Sequence, residues 1–87
     1  MFVMCSQTSC IVNVEHIVSV YVDGHAVTAE LDNAVGKQQS VELGYYSDEK
    51  AARVAFDEFV LAIARGGENV YRMLTDTEIL RKLGDIR

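Results

Sequence analysis

Apolar and polar residues alternate along the first half of the chain in the manner of β-strands. Residues 17–22 (IVSVYV) are rich in the β-branched and aromatic residues that strands favour. Asp23 and Gly24 follow directly, and an Asp-Gly pair between two apolar runs indicates a hairpin because both residues tolerate positive φ. Alternation resumes in residues 25–31 and returns in residues 41–45. These runs predict an antiparallel meander.

The second half changes to helical spacing of its apolar residues. Residues 47–65 begin with Ser47, which we predict to cap a helix, and a Gly-Gly pair follows as a helix stop. Residues 69–73 predict one more strand, and the capping box TDTE at 75–78 predicts a C-terminal helix. We therefore predict a single α+β domain: an antiparallel meander sheet of four to five short strands, packed by one main helix, plus a short C-terminal helix. The predicted segments of the domain 1–87 are 1–46 mainly strands, 47–65 helix, 69–73 strand and 75–84 helix.

The net charge of the chain limits the kinds of molecule that it is expected to bind. The 87 residues include 13 acidic and 8 basic side chains, a formal net charge of −5. General nucleic-acid binding needs clustered Lys and Arg, so this balance argues against it and against an anionic membrane surface. No apolar run approaches the roughly 20 residues of a membrane-spanning helix, and the N-terminus lacks the basic region of a signal peptide. We expect a cytoplasmic protein with no membrane partner.

Four residues are candidates for metal binding or nucleophilic chemistry: Cys5, Cys10, His16 and His25. Structural zinc sites use closely spaced Cys and His pairs, and the gaps in this chain fit that pattern poorly. A nucleophilic cysteine needs a lowered pKa, and neither cysteine has a predicted helix N-terminus or a cation beside it. We predict reduced thiols in the core, although an oxidising compartment would allow them to pair. The prediction is no metal, no cofactor and no enzymatic activity.

Two features indicate binding rather than catalysis. The first is a second apolar side on the main helix, where Val54 and Leu61 lie opposite the side that carries Phe56 and Phe59. Small domains often gain stability by self-association, so we predict a homo-oligomer. The predicted interface residues are Val54, Leu61, Ile79, Leu80 and Leu83.

The second feature groups aromatic and basic residues around the start of the main helix. Tyrosine rings stack on bases, while arginine side chains and a helix N-terminus hold anions. A nucleotide-like small molecule would suit such a group; the alternative is tyrosines at the rim of the sheet and arginines in surface ion pairs. The candidate ligand-binding residues are Tyr45, Tyr46, Arg53, Tyr71 and Arg72.

Residues from about 10 to 74 carry a recognisable pattern: a strand with Leu-Gly-x-Tyr, a helix, and then Val-Tyr-x-Met. The pattern resembles small uncharacterised proteins of Firmicutes and their phages. Leu74 departs from it, since those proteins usually have proline at that point. The matching positions are Leu43, Gly44, Tyr46, Ser47, Lys50, Ala51, Gly67, Val70, Tyr71 and Met73.

The resemblance implies a sheet-plus-helix domain without catalytic residues to carry over. Some phage proteins of this size sequester nucleotide immune signals, and others inhibit host defence proteins. We therefore expect a self-associating binding protein, phage-derived, that sequesters a nucleotide-type immune signal. The alternative is a protein–protein inhibitor or adaptor of a host defence protein that acts through an acidic surface or through the C-terminal helix.

Overall fold

Strands dominate the first half of the fold and helices the second, which confirms the α+β class. The computed structural model describes residues 1–7, 9–32, 39–66 and 69–85. The elements are β1 (Phe2–Met4), β2 (Ile11–Asn13), a 3-10 turn (Val14–His16), β3 (Ile17–Asp23), β4 (Ala26–Leu31), β5 (Gln39–Tyr45), α1 (Glu49–Arg65), β6 (Val70–Arg72) and α2 (Asp76–Asp85).

The strands form two three-stranded sheets instead of one meander of four to five strands. β3, β4 and β5 are antiparallel in chain order, so a meander exists but has three strands. The second sheet has the order β2-β1-β6, and β6 is parallel to β1. The predicted single antiparallel sheet is wrong in this respect. Phe2 pairs with Val70, close to the other end of the chain, and local turn signals carry no information about so distant a pairing.

The predicted hairpin between β3 and β4 is present, with its turn one residue later than the Asp-Gly pair suggests. Asp23 pairs with Ala26, so Gly24 and His25 are the two central residues. Gly24 has a φ of 60°, and positive φ at the first central position is characteristic of a type II′ turn. Glycine at position 24 therefore allows the turn, and Asp23 remains in the strand ladder.

The core lies between α1 and the inner faces of the two sheets. α1 contacts β3 and β4, and its buried residues are three alanines and Phe59. The small alanine side chains allow the helix to approach the sheet closely. A register shift in β5 leaves Leu43 as an extra residue between two paired positions, and its side chain is fully buried. The sheets contribute Val3, Val12, Val27, Ala29 and Leu43 to this core.

The cap of α1 is one residue later than predicted. The carboxylate of Asp48, not the hydroxyl of Ser47, accepts a hydrogen bond from the backbone N–H of Ala51, at 2.7 Å. Ser47 instead donates both its backbone N–H and its hydroxyl to Oδ1 of Asp76, at 2.9 and 3.1 Å. Ser47 thereby ties the entry of α1 to the first turn of α2.

The capping box predicted for α2 is confirmed in both directions. The backbone N–H of Thr75 donates to Oε1 of Glu78 at 3.0 Å, and the backbone N–H of Glu78 donates to Oγ1 of Thr75 at 3.2 Å. The backbone hydrogen bond from Thr75 is the main reason that the pKa of Glu78 is lowered. Within the described ranges, no helix is long and apolar enough to cross a membrane.

Candidate functional site

The outer face of the β2-β1-β6 sheet carries a cluster of exposed apolar side chains. Strand alternation turns Val3, Val12 and Tyr71 to the inner side of this sheet, where they pair with one another in register. The neighbouring positions therefore point outward together. We call this outer surface the Phe2 face, and its residues are Phe2, Met4, Ile11, Asn13, Val70 and Arg72.

The apolar part of the Phe2 face is unusually open to solvent. Side chains are exposed by 43% at Phe2, 42% at Met4, 58% at Ile11 and 44% at Val70. Single exposed apolar residues are ordinary on protein surfaces, but these four are cross-strand neighbours. A contiguous apolar patch on a small domain is typical of a surface that binds another molecule.

The charge of the Phe2 face contrasts with that of the whole chain. The face includes Arg72 and the amide of Asn13 and holds no acidic residue, whereas the chain has a net charge of −5. The outer face of the meander differs, because Glu30 and Glu42 lie there and the hydroxyl of Tyr21 approaches Oε1 of Glu30 at 3.5 Å. One sheet therefore offers an apolar surface and the other an acidic, solvated one.

Two of the predicted ligand-binding residues pack inside the fold. Tyr46 is 1% exposed, and its hydroxyl donates to the backbone carbonyl of Leu74 at 2.6 Å. Burial is the main cause that raises the pKa of Tyr46 to about 12. Tyr71 is partly buried, with its ring 5.7 Å from that of Phe59. The ring of Tyr71 therefore packs against α1 through Phe59, and the buried ring of Tyr46 offers no open face for stacking.

Tyr45 is the predicted tyrosine that does face solvent. Its side chain is half exposed, and its ring lies 6.0 Å from that of His25. The side-chain amide of Gln7 donates to the carbonyl of Tyr45 at 2.7 Å and accepts from its N–H at 2.9 Å. Gln7 thus pairs with the edge of β5 as a neighbouring strand would, and this pairing holds the backbone under Tyr45.

The two predicted arginines lie on different elements. Arg53 is exposed on α1, and its Nε donates to Oε1 of Glu49 at 3.3 Å, the ion pair expected of residues four apart on a helix. Arg72 is exposed on β6, where its register partner is Met4. The three exposed candidates, Tyr45, Arg53 and Arg72, therefore have different neighbours. Of these, Arg72 alone lies on the Phe2 face.

The predicted interface residues divide by burial. Ile79 is fully buried, and Val54 and Leu83 are partly buried against the same core. Leu61 and Leu80 are each 47% exposed, one on α1 and one on α2. The apolar stripe of α2 thus serves mainly to dock the helix onto its own chain, and the two exposed leucines remain available to a partner.

Sequence reasoning missed the Phe2 face, although one signal for it was present. Residues 2–4 are apolar at every position, and residues 11–12 are also apolar. A strand that is apolar on both sides needs cover on both sides. The chain has 87 residues, and α1, the longest helix in the described ranges, already covers the meander. Few residues are then left to cover the outer side of a second sheet.

The candidate metal ligands do not come together in one group in the described part of the chain. His16 and His25 lie at opposite ends of β3, and no group of three or more His, Cys, Asp or Glu residues in the described ranges could hold a metal ion.

No protein-family model matches the sequence, and no curated protein or solved structure shows significant similarity to it.

Proposed function

We propose that this chain is a non-enzymatic, self-associating binding protein and that two copies meet through the Phe2 face. One observation carries the proposal: four exposed apolar side chains share one sheet face that nothing in the described chain covers. Removing the exposed parts of such side chains from water is worth on the order of 1 kcal/mol each, and a symmetric contact counts each of them twice.

Charge favours a second copy as the occupant of this face. Two chains of charge −5 repel each other wherever acidic surfaces approach. The Phe2 face carries no acidic residue, so two copies that meet there avoid the closest like-charge contacts. Asn13 and Arg72 supply the polar groups that interfaces usually have at their rim.

We further propose that the assembled protein binds a ligand and that this ligand is a nucleotide-type immune signal, which the protein sequesters. Arg72 would supply positive charge to a phosphate at the subunit boundary, because a contact through the Phe2 face brings in one Arg72 from each copy. Tyr45 and Arg53 are exposed and remain candidates for further contacts. Tyr46 leaves the proposed ligand set because it is buried in the core, and Tyr71 leaves it because it is partly buried and packs against Phe59.

A second candidate function, a protein–protein inhibitor or adaptor, rests on other surfaces. The acidic outer face of the meander with Glu30 and Glu42 would suit a basic partner, and Leu80 is exposed on α2. Deletion of residues 75–87 is a poor test of this function, because Ile79 is buried in the core and the deletion would destabilise the fold. The substitution Leu80→Glu changes the surface of α2 and leaves Ile79 in place.

The test of self-association compares two glutamate substitutions. Ile11 on the Phe2 face and Val18 on β3 are both β-branched strand residues and both 58% exposed. We expect Ile11→Glu to weaken the dimer by roughly a hundredfold, because it buries a charge twice in a symmetric apolar contact. Val18→Glu is the matched control and should leave the dissociation constant unchanged. Sedimentation equilibrium measures both constants.

Three results would count against the proposal. A wild-type protein that stays monomeric at high micromolar concentration would show that the Phe2 face is not a dimer contact. Equal weakening by Ile11→Glu and Val18→Glu would assign the loss to net charge rather than to this face. An unchanged dimer in Ile11→Glu would place the interface elsewhere, and the exposed leucines Leu61 and Leu80 would be the next candidates.

The ligand proposal has its own measurement. Native mass spectrometry of protein purified gently from its host should give a dimer that carries a nucleotide-sized mass. Arg72→Ala should weaken binding of that compound by about tenfold, the loss expected for one charge-assisted hydrogen bond. Arg65→Ala, which removes an exposed arginine at the end of α1, serves as the control. A dimer without a small molecule would contradict the ligand proposal and leave the interface proposal unchanged.

A further inference from the structure

The two cysteines are cross-strand neighbours at the end of the β1–β2 ladder. The register pairs Val3 with Val12 and Met4 with Ile11, so the next pair along the ladder is Cys5 with Cys10. The ladder does continue to this pair, because the backbone N–H of Cys5 donates to the carbonyl oxygen of Cys10 at 2.9 Å. Four intervening residues therefore separate two thiols that lie directly opposite each other.

Both thiols lie on the inner side of the sheet. Alternation along β1 gives Cys5 the orientation of Val3, and alternation along β2 gives Cys10 the orientation of Val12. Cys5 is 6% exposed within the core, and Cys10 is partly buried against the same core. Directly opposed residues of an antiparallel pair have Cα atoms about 4.5 to 5.5 Å apart, within the range that a disulfide spans.

We propose that Cys5 and Cys10 form a reversible intrachain disulfide by exchange with a small-molecule disulfide such as glutathione disulfide. The Cys10 thiolate, on the more accessible residue, attacks one sulfur of glutathione disulfide and releases one glutathione. The Cys5 thiolate then attacks the Cys10 sulfur in the mixed disulfide and releases the second glutathione. The two cysteine protons end on the two released thiols, so one disulfide is consumed and one is formed.

The disulfide would link the two ends of the connection between β1 and β2, which contacts β5 of the other sheet. Between the cysteines, the backbone N–H of Ser6 donates to the carbonyl of Leu43 at 2.9 Å, and Gln7 pairs with Tyr45. Oxidation would restrict this segment in the unfolded chain while leaving its native hydrogen bonds in place. The oxidised protein should therefore be more stable than the reduced protein, with its contacts to β5 retained.

The test equilibrates the full-length protein in glutathione buffers of increasing disulfide content. We expect intact mass to fall by two hydrogen atoms and, after acid quenching and unfolding, both cysteines to resist alkylation together. We also expect the oxidised form to unfold at a Tm higher by on the order of 10 °C. Cys10→Ser is the control, since it removes the more exposed thiol and should show no redox-dependent Tm. Circular dichroism checks that the control is folded.

The remaining outcomes would overturn the proposal. If both thiols still react with the alkylating agent after quenching and unfolding from the most oxidising buffer, the pair does not close. A stable glutathione adduct on Cys10 would mean that Cys5 cannot reach it. A disulfide between two chains on a non-reducing gel would assign the oxidation to a different contact. Since these thiols face inward, a pair that fails to close within one chain leaves the proposal for the Phe2 face unchanged.

Discussion

Replacement of Gly44 by alanine should lower the free energy of unfolding by about 3 kcal/mol. A Cβ atom at this position would overlap the hydroxyl of Tyr46 and approach two of its ring carbons at 2.9 Å. The ring cannot move aside cheaply, because it is buried and its hydroxyl donates to the carbonyl of Leu74. Overpacking of this kind typically costs 1–3 kcal/mol, and a strained or broken hydrogen bond adds to it. Urea denaturation followed by circular dichroism measures the loss.

Gly84→Ala is the matched control for this substitution. Gly84 lies in α2, and a Cβ atom added there has no neighbour within 4 Å. Because alanine favours helix over glycine by about 1 kcal/mol, Gly84→Ala should be neutral or stabilising. The double variant Gly44→Ala with Tyr46→Phe should be less destabilised than the sum of the two single variants, since the nearest clashing atom is gone. Equal stability of Gly44→Ala and wild type would contradict the packing described for Tyr46.

Alkaline titration should destabilise the protein through Tyr46. The folded protein raises the pKa of this phenol to about 12, mainly because the ring is buried, whereas an unfolded tyrosine titrates near its ordinary value. The neutral phenol is therefore favoured in the fold, and its stabilisation is complete below pH 10. It is lost as pH rises from 10 toward 12, by about 2–3 kcal/mol in total. Urea denaturation at a series of pH values from 8 to 11.5 would record the decline.

The variant Tyr46→Phe isolates this effect from other titrating groups. It should be less stable than wild type at pH 8 by about 1–2 kcal/mol, because the carbonyl of Leu74 loses its donor. Its unfolding free energy should then fall less steeply than that of wild type between pH 10 and pH 12. Parallel curves for the two proteins would mean that the phenol of Tyr46 reaches solvent and titrates normally.

Features of the chain that depend on near neighbours agree well with prediction. The capping box at Thr75 and Glu78 is present as predicted, and so is the hairpin at Gly24. The discrepancy at the start of α1 has a distant cause. Asp48 caps α1 because its carboxylate reaches the N–H of Ala51, whereas Ser47 is drawn away by Asp76 on another helix. A competing contact from a distant residue is invisible in the sequence around position 47.

The candidate sites were harder to predict because exposure depends on the whole fold. Tyr45 and Tyr46 are adjacent and identical in the sequence, yet one is half exposed and the other is buried beneath Leu74. Ile79 and Leu80 divide in the same way, with one in the core and the other at the surface of α2. In each case the residue type predicted an aromatic or apolar contact. Whether that contact is made with the protein's own core or left open to another molecule is decided by the packing of the whole fold.

The helices, the capping box of α2, the tight hairpin and the α+β class follow from residue order, because their hydrogen bonds and turns join positions a few residues apart. The pairing of β1 with β6 joins strands that are almost 70 residues apart, and its stability depends on contacts that form only when the core assembles. The same assembly exposes Phe2 and Ile11 while it buries Val3 and Val12. A short chain has too little apolar surface in its helices to cover every sheet face, so competition for the core decides which residues remain available for a partner.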